Sequence, residues 1–218
     1  MPKSLQLSSP PQLSLLGEHH PLVQQLGSAE GLHELSRISR SLRGAPVTDF
    51  SSLRGFLQAY QNRVLLPVEL PVIHQAYLHA GGQRTRELVE LDRKIGGIPA
   101  LQTYLGASRR VGQNELRRLK PLRDVRVLQR YLAEVESGAA DGWHSLVFGL
   151  TLAVYSVPLR QGLLGYAQQV SRGFIQTAGM RFPITLGDIE ELEQELSSVL
   201  VTSLGSLLFL ECMERAPH

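Results

Sequence analysis

Apolar residues return at helical spacing almost everywhere after residue 48, and no stretch alternates apolar and polar residues long enough to mark a half-buried strand. The pattern predicts an all-α chain. Thr48 or Asp49 can cap a helix whose stripe is Leu53, Phe56, Leu57, Tyr60 and Val64, with Pro67 expected to interrupt it. A second helix carries Val72, Ile73, Tyr77 and Leu78 and stops at Ala80-Gly81-Gly82; a short third carries Leu88, Val89, Leu91 and Ile95 as far as Gly96-Gly97. Pro99 suits the first turn of a longer helix that turns Leu101, Tyr104, Leu105, Ser108, Val111, Leu116 and Leu119 inward and its arginines outward. The repeat continues through Leu122, Val125, Leu128, Tyr131, Leu132 and Val135 to a break of small residues at Glu136 to Gly142. From His144 to Tyr155 the chain is apolar on nearly all sides, which predicts a central helix covered by its neighbours. Pro158 opens the next helix, with Leu159, Leu163, Ala167, Val170, Phe174 and Ala178 on one face. Asp188 and Glu191 form the expected cap of a last helix through Ile189, Leu192, Leu196, Val199 and Leu200.

Together these elements predict a single-domain bundle of about seven to nine helices around the His144 helix. Residues 48–218 form the helical domain. Residues 1–47, rich in Ser, Pro and His with a short helical pattern only from Leu32 to Ile38, form a partly flexible N-terminal segment.

Composition narrows the function classes. A chain of 218 residues that is 43% hydrophobic can bury one sizeable core. Its 22 basic and 20 acidic residues leave a net charge of +2, short of the footprint of a dedicated nucleic-acid binder. The charges are unevenly placed. Seven arginines and Lys120 fall between Arg109 and Arg130 against only Glu115 and Asp124, while Asp188 to Glu195 holds five acids and no base. Such runs read first as solvated helix faces, and secondarily as surfaces that steer a protein partner. A single cysteine, Cys212, precludes an internal disulfide, and the amino terminus lacks a secretory pattern; both fit the cytoplasm. Trp143 to Leu159 and Val199 to Met213 are too short and too interrupted for membrane spans and read as core helices.

Candidate chemistry is sparse. Glu30 and His33 stand at the i, i+3 spacing of carboxylate-bridged di-metal bundles, but the second such pair that this architecture needs is missing. His19-His20 and His218 are at most weak metal ligands. His144, beside Trp143 on the most apolar helix, reads as a core histidine holding a hydrogen bond. Nothing has the form of a nucleophile elbow, a phosphate-binding glycine loop or a zinc-ligating cysteine pair, so the chain reads as a non-enzyme. The arginine-rich helix lacks interleaved aromatics apart from Tyr104 and Tyr131, which argues against nucleic acid.

Several weak motifs in one order point further. They are "LQLSSP" at Leu5 to Pro10, Gly31-Leu32, "VTDFSSLRGFLQ", "LPVELPVIHQAYLHA", "ELVELDRKI", "ASRRVGQNELRRL" at Ala107 to Leu119, His144 with Phe148-Gly149, "VPLRQGLLGY", and Arg181, Pro183, Leu186 and Gly187. In this succession the chain resembles the urease accessory protein F (UreF) family from about residue 5 to 205, most firmly from 48 to 190. Arg110 and Asp188 stand where the family usually has glutamine, "LLGEHHPLVQQLGSAEGL" replaces its glycine-rich turn, and the family usually continues past the equivalent of His218. Those end regions are the ones implicated in partner contacts.

The resemblance implies an all-helical, non-catalytic, homodimeric adaptor that joins the UreD/UreH scaffold and recruits the GTPase UreG for nickel insertion into apo-urease. Nickel would be cargo of the complex, with no firmly bound cofactor and no metal site in this chain; neither nucleic acid nor membrane is expected as a partner. Ser108, Arg109, Gly112, His144, Gly149, Arg181 and Pro183 are the partner-binding candidates that it marks. Gly112 and Gly149 equally suit close helix packing, and Pro183 a turn; Arg109 and Arg181 are the better candidates for contacts. The alternative reading is a helical interaction module with no role in urease activation.

Overall fold

A computed structural model describes residues 29–98 and 105–214 of the chain. Its helices are α1 (Ala29–Ser41), α2 (Phe50–Tyr60), a π-helical stretch (Gln61–Glu69), α3 (Leu70–Gly81), α4 (Thr85–Gly96), α5 (Leu105–Leu119), α6 (Arg126–Glu136), α7 (His144–Val154), α8 (Leu159–Gly179) and α9 (Leu186–Glu214). All regular structure among the described residues is helical, in agreement with the sequence pattern. His19-His20, Pro99, Leu101, Tyr104 and His218 lie outside the described residues, as do the side chains of Glu30, His33, Leu105 and Cys212.

Asp49 caps α2. The Ser52 N–H donates to Asp49 Oδ1 at 2.8 Å and the Asp49 N–H donates to Ser52 Oγ at 3.0 Å, so serine takes the part that glutamate usually plays in this reciprocal arrangement. Pro67 does not interrupt the helix. Proline has no N–H to donate and its ring crowds the preceding turn, and here the helix meets both demands by widening: Gln61 to Glu69 is π-helical, and the Leu70 N–H reaches back to the Leu65 carbonyl. Phe50 to Gly81 is therefore one unbroken helical run.

The predicted central helix is present. Every residue of α7 from His144 to Leu152 is buried, and α3 is the neighbour it meets most extensively, followed by α5. Close approach to α3 depends on Gly149: a Cβ there would stand 2.3 Å from the Ile73 carbonyl oxygen. Leu35 and Ile38 of α1, with Leu42 and Val47 after it, enter the same core. On α8 the expected face is buried except for the half-buried Leu159, and Gly162, Tyr166, Gly173, Ile175 and Thr177 are buried as well.

Two details of α9 differ from the sequence pattern. Asp188 is not the cap; Thr185 is. The Asp188 N–H donates to Thr185 Oγ1 at 3.2 Å while Asp188 Oδ2 accepts the Thr185 N–H at 2.8 Å, because the helix begins at Leu186 and Thr185, just before it, offers the hydroxyl that an N-cap needs. Val199 is 42% exposed; the inward stripe is Leu192, Leu196, Leu200 and Leu204, at strict four-residue spacing. Among the described residues no helix is long and apolar enough to cross a membrane.

Candidate functional site

α5 runs across the turn that leads into α7, and four of the marked residues meet there. Ser108 is buried and its Oγ accepts the His144 N–H at 3.2 Å. Arg109 donates to Asp141 Oδ1 at 2.9 Å, and Gln113 Nε2 to the Asp141 carbonyl at 3.0 Å. A Cβ on Gly112 would lie 2.0 Å from the Gly142 carbonyl oxygen, so only glycine allows α5 this close to the turn. Gly142 itself has φ +74°, the left-handed conformation that glycine adopts without strain.

The turn is anchored from beneath by Asp92 of α4, which is fully buried. Its Oδ1 accepts the Asp141 N–H at 2.7 Å; its Oδ2 accepts the Gly142 N–H at 2.9 Å and the Tyr131 hydroxyl at 2.6 Å. Its carbonyl accepts Trp143 Nε1 at 2.8 Å. Burial pushes the Asp92 carboxyl above its ordinary value, and the three donors oppose that shift by favouring the charged form. Burial and the neighbouring Asp92 carboxylate push the Tyr131 phenol well up, so it remains a donor.

His144 is 3% exposed, with its ring 5.9 Å from that of Tyr166 and 6.2 Å from that of Phe148. Burial lowers its pKa to about 3, so the imidazole is neutral near pH 7. Gly149 lies farther along α7, against α3. Arg181 and Pro183 are exposed in the connection between α8 and α9 and do not join the α5–α7 group. Among the described residues no group of three or more His, Cys, Asp or Glu is placed to hold a metal ion.

Asp92, Gln113, Asp141 and Gly142 were not singled out by the sequence pattern, and Tyr131 was placed only on the apolar stripe of its helix. One signal was available: Asp92 falls on the inward stripe Leu88, Leu91 and Ile95, where a carboxylate requires partners. The acidic run on α9 is half-exposed to exposed, as a solvated face would be, and three of its acids also reach neighbouring helices. Arg54 of α2 pairs with Glu191 and, at 3.6 Å, with Glu195, while Arg172 of α8 pairs with Glu193 at 2.7 Å. These acids tie α9 to the bundle.

Buried polar groups here fix helices to one another, and the glycines set how closely they cross; the arrangement defines an all-α bundle with an internally braced turn between α6 and α7. The UreF family matches residues 47–185, which contain all of α2 to α8. The chain belongs to the UreF family, a family of urease accessory proteins. No curated protein and no solved structure matches it.

Proposed function

We propose that this chain is the adaptor of a urease maturation complex in the cytoplasm, where as a homodimer it joins the UreD/UreH scaffold and recruits the GTPase UreG for nickel insertion into apo-urease. The carrying observation is the family match over α2 to α8, within which Ser108, Arg109, Gly112 and His144 converge on one braced turn. In this reading Ser108, Gly112, His144 and Gly149 hold the surface in shape, whereas Arg109, 52% exposed, and Arg181 touch the partner. Nickel is cargo of the assembly.

The direct test is co-expression of the full chain with a urease operon. Co-purification of the UreD/UreH protein and restored urease activity are expected, and Arg109→Ala is expected to weaken the complex. An exposed ion pair such as Arg109–Asp141 contributes only about 0.5 kcal/mol to stability, so that variant should still fold. Absence of a complex at micromolar concentration, together with normal urease activation in a deletion strain, would favour an interaction module outside urease maturation.

A further inference from the structure

α4 and α6 pack side by side and leave an open cleft of about 540 Å³ along their outer surface. Val89 supplies part of its apolar lining, and Arg86, Arg93 and Arg130 stand around it with Glu90 and Glu134. Arg86 pairs with Glu90 at 3.1 Å along the same helix. Arg93 and Arg130 are exposed and form no ion pair among the described residues.

These two arginines adjoin the buried anchor. Arg93 follows Asp92, Arg130 precedes Tyr131, and the Tyr131 hydroxyl donates to Asp92 at 2.6 Å. The interior hydrogen bond fixes α4 against α6, which sets the separation of the two arginine backbones at the surface. A docking anion then has less disorder to remove.

We propose that this cleft docks an acidic helix of a partner protein, with carboxylates two turns apart meeting Arg86 and Arg93 and a further one meeting Arg130. Arg86 and Arg93 are seven residues apart on α4, a rise of roughly 10 Å, which is also the spacing of carboxylates at i and i+7 on a facing helix. Guanidinium forks suit carboxylates, and unpaired ones suit them best. Glu90 and Glu134 stand among the arginines and repel an unbroken run of phosphates, while a helix with spaced acids avoids them. Among the described residues the cleft has no aromatic lining on which bases would stack. The inference rests on this cleft alone and holds or fails independently of the role in urease maturation.

The test is fluorescence anisotropy on the full-length protein. The probe is a labelled alanine-based helical peptide of about 16 residues with glutamates at i, i+3 and i+7, and the competing probe is a single-stranded RNA of equal charge. Micromolar binding of the peptide is expected, weakened about tenfold in the Arg93→Ala/Arg130→Ala double variant and unchanged in Arg160→Ala, which lies on α8. Tyr131→Phe, checked for folding by circular dichroism, is expected to weaken binding by about threefold through loss of the interior hydrogen bond. No peptide binding at millimolar concentration, binding unaffected by the double variant, or RNA bound as tightly as peptide would each overturn the proposal.

Discussion

Asp92 would be costly to bury alone, and the Tyr131 hydroxyl with two backbone amides offsets that cost. Asp92→Asn, which sets an NH2 group against these donors, is therefore expected to lower stability by about 3 kcal/mol, and Tyr131→Phe by about 1 kcal/mol, in urea unfolding. Why the anchor was not legible is plain from its partners, which lie 39 to 51 residues away in the chain. The stripe of Leu88, Leu91 and Ile95 has Asp92 on its line, but periodicity does not say what a residue there meets. The glycines were half legible in the same way: Gly112 and Gly149 suggested close packing, but the carbonyls they meet belong to distant segments. Gly149→Ala should cost about 3 kcal/mol because backbone must move, whereas Gly55→Ala, with nothing within 4 Å on the exposed side of α2, should add about 0.5 kcal/mol. His144 gives a pH signature. Its folded pKa, about 3, lies below the unfolded value of 6.5, so the unfolded state takes up the proton first and stability falls as pH drops from 6.5 towards 3. The slope approaches about 1.4 kcal/mol per pH unit, and His79, lowered by burial, adds in the same sense. Asp92, raised by burial, acts in the opposite sense as pH falls through its own range. Urea unfolding between pH 7 and 5 should show a steep loss in the parent chain and a shallower one in His144→Gln.

Helix identity was legible because each stripe is long and regular; helix ends were less so, because capping depends on single side chains. Asp49 was readable, since a β-region acid before an apolar stripe has few other uses. At α9 two oxygen-bearing residues, Thr185 and Asp188, both fit a cap, and the reciprocal bonds put the threonine first. Thr185→Ala should cost about 1 kcal/mol in thermal or urea unfolding, more than Glu191→Ala, whose partner Arg54 retains Glu195. Pro67 misled for a physical reason: a missing donor and a crowding ring usually end an α-helix, but the wider π register gives the ring room and lets a later N–H, that of Leu70, reach one carbonyl farther back to Leu65.

Across the whole molecule the charges divide by task. Acids on α9 pair with Arg54 of α2 and Arg172 of α8 at the surface, while at the α4–α6 cleft Arg93 and Arg130 are exposed with no ion pair among the described residues and Arg86 pairs only along its own helix. Net charge alone concealed this division. The central position of α7 was legible from its uniform apolarity, but its choice of α3 as principal neighbour was not, because that choice depends on one glycine and one carbonyl. The meeting point at Ile73 and Gly149 also gives the wide turn ahead of α3 a second meaning. Each residue of an α-helix advances the chain by roughly 100°, so inserting one alanine between Leu70 and Pro71, where the chain has returned to α register, would swing everything after it by about that angle. Ile73 and Ala76 would leave the seat they share with Gly149. Such an insertion should preserve the helical circular-dichroism signal and lower the melting temperature, for the wide stretch from Gln61 to Glu69 hands the chain to α3 at the one angle that meets its partner in phase.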